Sequence, residues 1–203
     1  LNITLHVKGT IPNGGPYTFV SNHPLGGADG LALLSVIGQK GDIKLLGNDF
    51  LTNIDGLKPM IVPVNKIGMQ SRQLKQGIDS AYSGSTHILD FPAGQVSRRN
   101  HGIIMDRRWS KTFLVKSIEN HRDIVPIHFY GTNSRHFYRM GRIQQLLKLK
   151  FPLAMIYLPD ELYRSQGKTY RIVIGKPIPW SLFDKHGNIQ EQVEKIKQTT
   201  YAL

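Results

Sequence analysis

Residues 17–37 decide the fold: Tyr17-Thr18-Phe19-Val20-Ser21, then Asn22-His23-Pro24-Leu25-Gly26-Gly27-Ala28-Asp29-Gly30, then Leu31-Ala32-Leu33-Leu34-Ser35-Val36-Ile37. A β-branched and aromatic run, a loop with a proline and paired glycines, and an apolar helix-permissive run read as strand, turn and helix. His23 leaves the end of the strand and Asp29 stands near the start of the helix, with two glycines letting the loop fold tightly between them. A carboxylate that accepts a hydrogen bond from one imidazole nitrogen fixes the tautomer and raises the basicity of the other. Such a pair can remove a proton from an attacking hydroxyl or amine. The same residues also suit a plainer arrangement, in which Asp29 caps the helix and His23 is an ordinary loop histidine.

Outward from this unit the alternation continues. Strands are predicted over 3–7, 17–21, 43–46, 61–64, 87–91, 124–130, 154–158 and 170–174, and helices over 28–37, 71–82, 111–118, 134–147 and 189–201. Strands alternating with helices indicate an α/β protein: one layered domain over 1–203, with a mixed, largely parallel sheet flanked by helices. No internal repeat, low-complexity tract or linker divides it. The chain begins at Leu1 and enters a strand at once, which reads as a fragment of a longer chain with an N-terminal extension.

The 203 residues are 40% hydrophobic, which excludes a disordered chain, and 26 Lys and Arg against 14 Asp and Glu leave a formal net charge of +12. That balance calls for an anionic partner: nucleic acid, an anionic membrane surface, a phosphorylated metabolite or an acidic protein. The absence of cysteine excludes disulfides, thiolate nucleophiles and Cys-ligated zinc. No apolar run approaches the roughly 18 residues needed to cross a bilayer.

A second loop, Phe91-Pro92-Ala93-Gly94-Gln95-Val96-Ser97-Arg98-Arg99, also follows an apolar strand. Glycine, a hydroxyl and two guanidiniums suit a phosphate or carboxylate; they also suit a solvated basic turn. Two such loops at strand ends of one α/β sheet are more informative together, because ligand sites gather at strand C-termini.

Taken in order, Asn22-His23 with Asp29, Val62-Pro63-Val64-Asn65-Lys66, Phe91-Pro92-Ala93-Gly94 with Ser97-Arg98, and Val125-Pro126-Ile127 resemble the four motif blocks of the glycerolipid acyltransferase superfamily. The similarity runs from about Val7 to Asp184 and is closest to the bacterial hemolysin-like branch, which includes N-acyltransferases for ornithine and glycine lipids. Asp106 with Trp109, Asn133-Ser134 with Phe137-Tyr138, and Gly175-Lys176-Pro177-Ile178-Pro179 match as well. Two departures set the chain apart from the usual glycerolipid enzyme: one extra residue between His23 and Asp29, and Ala93 where that enzyme carries Glu. Both point to the lipoamino-acid branch.

The resemblance implies that His23 is the general base and Asp29 its orienting partner. It implies direct attack by an amino-acid or lysolipid acceptor on the thioester of acyl carrier protein or coenzyme A, with no bound cofactor, metal or enzyme nucleophile. Backbone N–H groups near Gly94 would face the oxyanion. Ser97, Arg98, Arg99 and Lys66 would hold an anionic part of donor or acceptor, and Asn22 would contribute to the substrate loop. A lysophosphatidic acid O-acyltransferase is the alternative. A peripheral enzyme on the cytoplasmic face of the inner membrane, meeting an anionic membrane surface, is the implied setting.

Other signals are weaker. None of the eight histidines forms a His-Glu-x-x-His pair. Ser165-Gln166-Gly167-Lys168-Thr169 lacks the first glycine of a phosphate-binding loop, whose place falls at Leu162. Trp109, Phe113, Phe137 and Tyr138 suit an acyl channel or an ordinary core. The charge is concentrated, with twelve cations between Arg98 and Lys150 against Asp106, Glu119 and Asp123. A nucleic-acid-binding module would explain the charge, but no helix-turn-helix, RNA-recognition aromatic motif or zinc finger accompanies it, so no nucleic-acid partner is expected.

Overall fold

A computed structural model describes residues 2–48, 51, 56–64, 72–100, 102–147 and 156–203. Its main sheet contains β1 (Thr4–Lys8), β2 (Thr18–Ser21), β3 (Ile43–Gly47), β4 (Ile61–Pro63), β5 (His87–Asp90), β8 (Ile124–Tyr130) and β9 (Thr169–Ile174). Their order is β1-β9-β8-β2-β5-β3-β4. Strands β8, β2, β5, β3 and β4 pair in parallel, and β9 joins β8 antiparallel with β1 parallel to β9. The sheet is therefore mixed and mostly parallel, as the alternation predicts. A separate antiparallel hairpin pairs β6 (Arg98–Asn100) with β7 (Ile103–Met105).

Helices cover both faces, which is why central strands β2 and β5 are buried at every residue. Helix α1 (Ala28–Ile37) lays Leu33 and Ile37 against Phe19, Leu89 and Val125. Neighbouring Val20 points to the opposite face, as strand periodicity demands. There it meets α3 (Thr112–Glu119) through Phe113 and Leu114, and α6 (Ile189–Tyr201) through Val193 and Ile196. Helix α2 (Arg72–Ser83) covers β3 to β5 on that face with Ile78 and Tyr82.

Two segments differ from expectation. The stretch 154–158, expected to be a strand, is helical or turn at Ile156 to Leu158, leading into α5 (Leu158–Tyr163); Ala154 and Met155 lie outside the described residues. Pro159 early in that helix and Asp160 and Glu161 in its first turn favour a helix start over a strand. The β6–β7 hairpin replaces what reads as a basic loop, its turn using Gly102 at φ 86°. Helix α4 (Arg135–Leu146) packs beside the hairpin, with Phe137 and Tyr138 in a small cluster with Val96.

What this architecture positions is one edge. Because β2, β5 and β8 are parallel neighbours, their C-terminal ends emerge together. Asn22-His23, the Phe91–Ser97 loop and Asn133 all leave the sheet there.

Candidate active site

His23 Nδ1 lies 3.1 Å from Asp29 Oδ2 across the β2–α1 loop. Asp29 is fully buried, and its carboxylate collects backbone donors from the turn it anchors: Leu25 N–H at 2.9 Å and Gly26 N–H at 3.3 Å on Oδ2, and Gly30 N–H at 2.8 Å on Oδ1. Burial alone would push this carboxyl up. The facing His23 and the N–H groups of Leu25 and Gly30 outweigh it and hold Asp29 below its ordinary value. The ionised carboxylate accepts from Nδ1–H, which leaves Nε2 as the basic nitrogen. The imidazole also stacks on Phe91, with ring centroids 4.1 Å apart, so the second loop sets its plane.

The two loops are joined by hydrogen bonds. Ser97 N–H donates to the carbonyl of His23 at 2.8 Å. Buried Asp106 accepts from His23 N–H at 3.3 Å and Ser97 Oγ at 2.5 Å on Oδ1, and from Trp109 Nε1 at 2.9 Å on Oδ2. Its own N–H donates to the Tyr201 hydroxyl at 2.8 Å. Burial raises the Asp106 carboxyl above its usual range despite these donors. Asn22 turns into the sheet: Oδ1 accepts Phe129 N–H at 2.7 Å and Nδ2 donates to Phe129 O at 2.9 Å. Asn133, after β8, donates from Nδ2 to Pro24 O at 3.1 Å and so holds the His23 loop from the third strand end.

The other residues expected at the site take distinct places. Ser97 is buried and its hydroxyl is engaged by Asp106, so it holds the loops together. Gly94 makes the turn, at φ 66°, with its N–H donated to Phe91 O at 2.9 Å. Arg98 is half-buried, with its guanidinium 5.9 Å from the centre of the Phe137 ring. Its buried Nη1 has no hydrogen-bond partner among the described residues, and burial and the charge of Arg107 disfavour the cation. An anionic group arriving there would relieve both. Arg99 is exposed, and Lys66 lies outside the described residues.

Beside the loop opens a cavity of about 680 Å³ whose walls include Pro92, Ala93, Gly94 and Trp109, with exposed Arg108 and Lys111 also on the lining. All four aromatics considered for an acyl channel belong to core clusters, and of them only Trp109 also borders this cavity. Among the described residues no group of three or more His, Asp or Glu stands together to hold a metal, and no helix is long and apolar enough to cross a membrane. Asp106, which joins the two loops, is the residue that sequence reasoning left without a role, although its pairing with Trp109 stood among the matched positions.

Not all of the dense positive charge is surface charge. Arg122 is 1% exposed and donates to the carbonyls of Tyr82, Gly84 and Thr86 at 2.6–2.8 Å, closing the C-terminal end of α2. Lys116 is paired with Asp79 and Glu119.

Two relatives match the whole chain. A lyso-glycine lipid O-acyltransferase of Phocaeicola vulgatus is 45% identical, with 100% of this chain and 74% of the relative covered. One of the same name from Bacteroides thetaiotaomicron is 44% identical, with 100% and 76% covered. The crystal structure of the 1-acyl-sn-glycerophosphate acyltransferase PlsC from Thermotoga maritima superposes with a TM-score of 0.60 over 98% of this chain and 71% of that one, at 17% identity, and so shares the fold. The model of the acyltransferase family Acyltransf_2 matches residues 6–203, and with relatives this similar the chain belongs to that family and is an acyltransferase.

Proposed function

We propose that this acyltransferase moves a fatty acyl group from a thioester of acyl carrier protein or coenzyme A to the hydroxyl of a lyso-glycine lipid. The carrying observation is the His23–Asp29 pair, 3.1 Å apart, at the C-terminal edge of the parallel strands. In this reading Nε2 of His23 takes the acceptor hydroxyl proton as the oxygen attacks the thioester carbonyl. The tetrahedral intermediate collapses, the carbon–sulfur bond breaks, and the leaving thiolate takes the proton back from the imidazolium. Asp29 keeps the tautomer and stabilises that imidazolium. Arg98 Nη1 receives the acceptor carboxylate, and the cavity beside Pro92, Ala93 and Gly94, a size ordinary for ligand sites, takes part of the donor. No bound cofactor or metal takes part.

The names of the relatives favour an oxygen nucleophile over an amine within the lipoamino-acid branch. The enzyme works peripherally, on the cytoplasmic face of the inner membrane. The test is mass spectrometry of products from the purified enzyme, each thioester and either lyso-glycine lipid or lysophosphatidic acid. The expected product is the diacylated glycine lipid, with turnover about 10²- to 10⁴-fold lower for His23→Ala. Phosphatidic acid as the main product would overturn the acceptor, and near-native turnover of His23→Ala would overturn the mechanism.

A further inference from the structure

The hairpin, α4 and the start of α5 share one small cluster, in which Ile104, Phe137, Tyr138 and Leu158 pack with Val96. That cluster rests on the catalytic loop. A Cβ on Gly26 would meet Leu158 and Val96 side chains at 2.7 and 3.0 Å, and Asn133, just before α4, holds the Pro24 carbonyl. The outer side of the same elements is unusually apolar for a surface. On the hairpin, Ile103 and Met105 are 64% and 42% exposed; at the end of α4, Leu146 and Leu147 are 72% and 63% exposed.

The same two elements carry exposed cations, Arg99 on the hairpin face that also bears Ile104. Arg135, Arg139 and Arg142 are exposed on α4 at helical spacing, and Arg99 is exposed on the hairpin. No acidic residue occurs in the sequence between Asp123 and Asp160. None of these four arginines has a carboxylate partner in an ion pair among the described residues. Aliphatic tips among long cationic side chains match the boundary of an anionic bilayer, where guanidiniums meet headgroup phosphates and the aliphatic tips enter the acyl region. An acidic soluble protein would satisfy the arginines but leave the aliphatic tips without that apolar region.

From this combination we infer that the β6–β7 hairpin and α4 form the face by which the enzyme docks on an anionic lipid bilayer. The inference rests on the proposed use of a membrane-borne acceptor. It adds a geometry to that reading: the docked face lies over the His23 loop, so an acceptor is delivered to the base with its acyl chain still near the bilayer. The arginines supply attraction at a distance, and Ile103 and Met105 supply the apolar insertion that neutral headgroups alone do not oppose.

Sedimentation of the full-length protein with phosphatidylcholine vesicles, with and without phosphatidylglycerol, tests it. The wild type is expected to bind the anionic vesicles. R139Q/R142Q should bind them roughly 25-fold more weakly, from about five-fold per arginine removed, and I103S/M105S should also lose binding. Both should keep the wild-type melting temperature and turnover of a short-chain, water-soluble acceptor. Unchanged vesicle binding in both variants would overturn the inference, as would absence of wild-type binding to anionic vesicles. Light scattering that shows the wild type as a dimer and these variants as monomers would assign the face to a second copy and overturn it too. Vesicle binding lost in the variants without any acyl transfer by the wild type would leave the docking face standing and remove the proposed function. Acyl transfer with vesicle binding indifferent to the variants would do the reverse.

Discussion

The backbone N–H of Ser97 donates to the carbonyl of His23 at 2.8 Å, tying together two loops that stand more than seventy residues apart in the chain. Asp106 reinforces the tie from below by accepting from both residues, and Trp109 fixes its second oxygen. Asp106 is thus a positioning residue, since its contacts are with backbone and side chains that place His23. Asp106→Asn keeps the shape but turns an amide N–H₂ toward at least one of these donors. The expected outcome is a loss of about 1–3 kcal/mol of stability, together with a fall in kcat larger than any change in KM. Thermal unfolding and steady-state kinetics check it. Ser97→Ala, which removes one donor and leaves the backbone tie, should show a smaller version of both effects.

Asp29 carries a different prediction because it both orients His23 and anchors its loop. Its carboxyl is held below 3.8, so the stability it contributes is fully present above that value and is lost only as pH falls through its folded value. Between pH 7 and 5 it therefore adds no slope. Asp29→Asn replaces an acceptor-only group by one whose NH₂ opposes an N–H of the Leu25–Gly30 turn or the Nδ1–H of His23. Turnover is expected to fall about 10²- to 10⁴-fold. Added imidazole should restore part of the activity of His23→Ala or His23→Gly and none of that of Asp29→Asn, which separates the base from its orienting partner.

The pH dependence of stability should instead come from His87. It is 5% exposed, it stacks on Tyr17 at 5.8 Å, and its Nδ1 accepts Tyr17 N–H at 3.2 Å. Burial and the Arg122 charge lower its affinity for a proton below that of a free imidazole, at 6.5. The unfolded chain then binds a proton that the folded chain refuses, so stability is full above pH 6.5 and falls as the pH drops below it. His128, also lowered by burial and by Arg171, acts in the same direction. Melting temperatures should be flat from pH 8 to 7 and decline from 6.5 to 5.5, with a slope of at most about 1.4 kcal/mol per pH unit for each proton. His87→Gln keeps an acceptor without a titration and should flatten that decline. An unchanged slope in this variant would rule His87 out as its source.

Legibility in the sequence followed the range of the interactions. His23 and Asp29 stand in one strand–loop–helix unit, so the local pattern suffices to place them near each other. The buried parallel strands announce themselves as unbroken apolar runs because both faces are covered. The three-residue strands of the hairpin are too short to show a period, and the apolar run before α5 has no alternation to distinguish strand from helix. Arg122 reads as surface charge because its carbonyl partners lie some forty residues away, at the end of α2. Asp106 is hidden for the same reason, since its contact with His23 spans 83 residues.

The paired glycines of the first loop look interchangeable in sequence, and the structure makes them opposites. Gly26 has φ 89°, a conformation that costs any L-residue with a Cβ, and that Cβ would stand 2.7 Å from Leu158 and 3.0 Å from Val96. Gly27 has φ −91° and ψ −45°, ordinary helical values, and a Cβ there would meet Leu162 at 3.4 Å, a normal contact. Gly26→Ala must therefore either strain the turn or push the hairpin cluster away from the loop, and Asp29 loses the geometry of the Gly26 N–H bond in both cases. Its stability should drop by about 1–3 kcal/mol, with kcat falling alongside. Gly27→Ala removes unfolded-state freedom at a compatible position and should be neutral or stabilising by up to about 1 kcal/mol, with near-native kcat. Measured side by side by thermal unfolding and turnover, equal effects of the two substitutions would show that the loop does not fold as described. A selective loss at Gly26 ties the activity of His23 to the backbone that carries it.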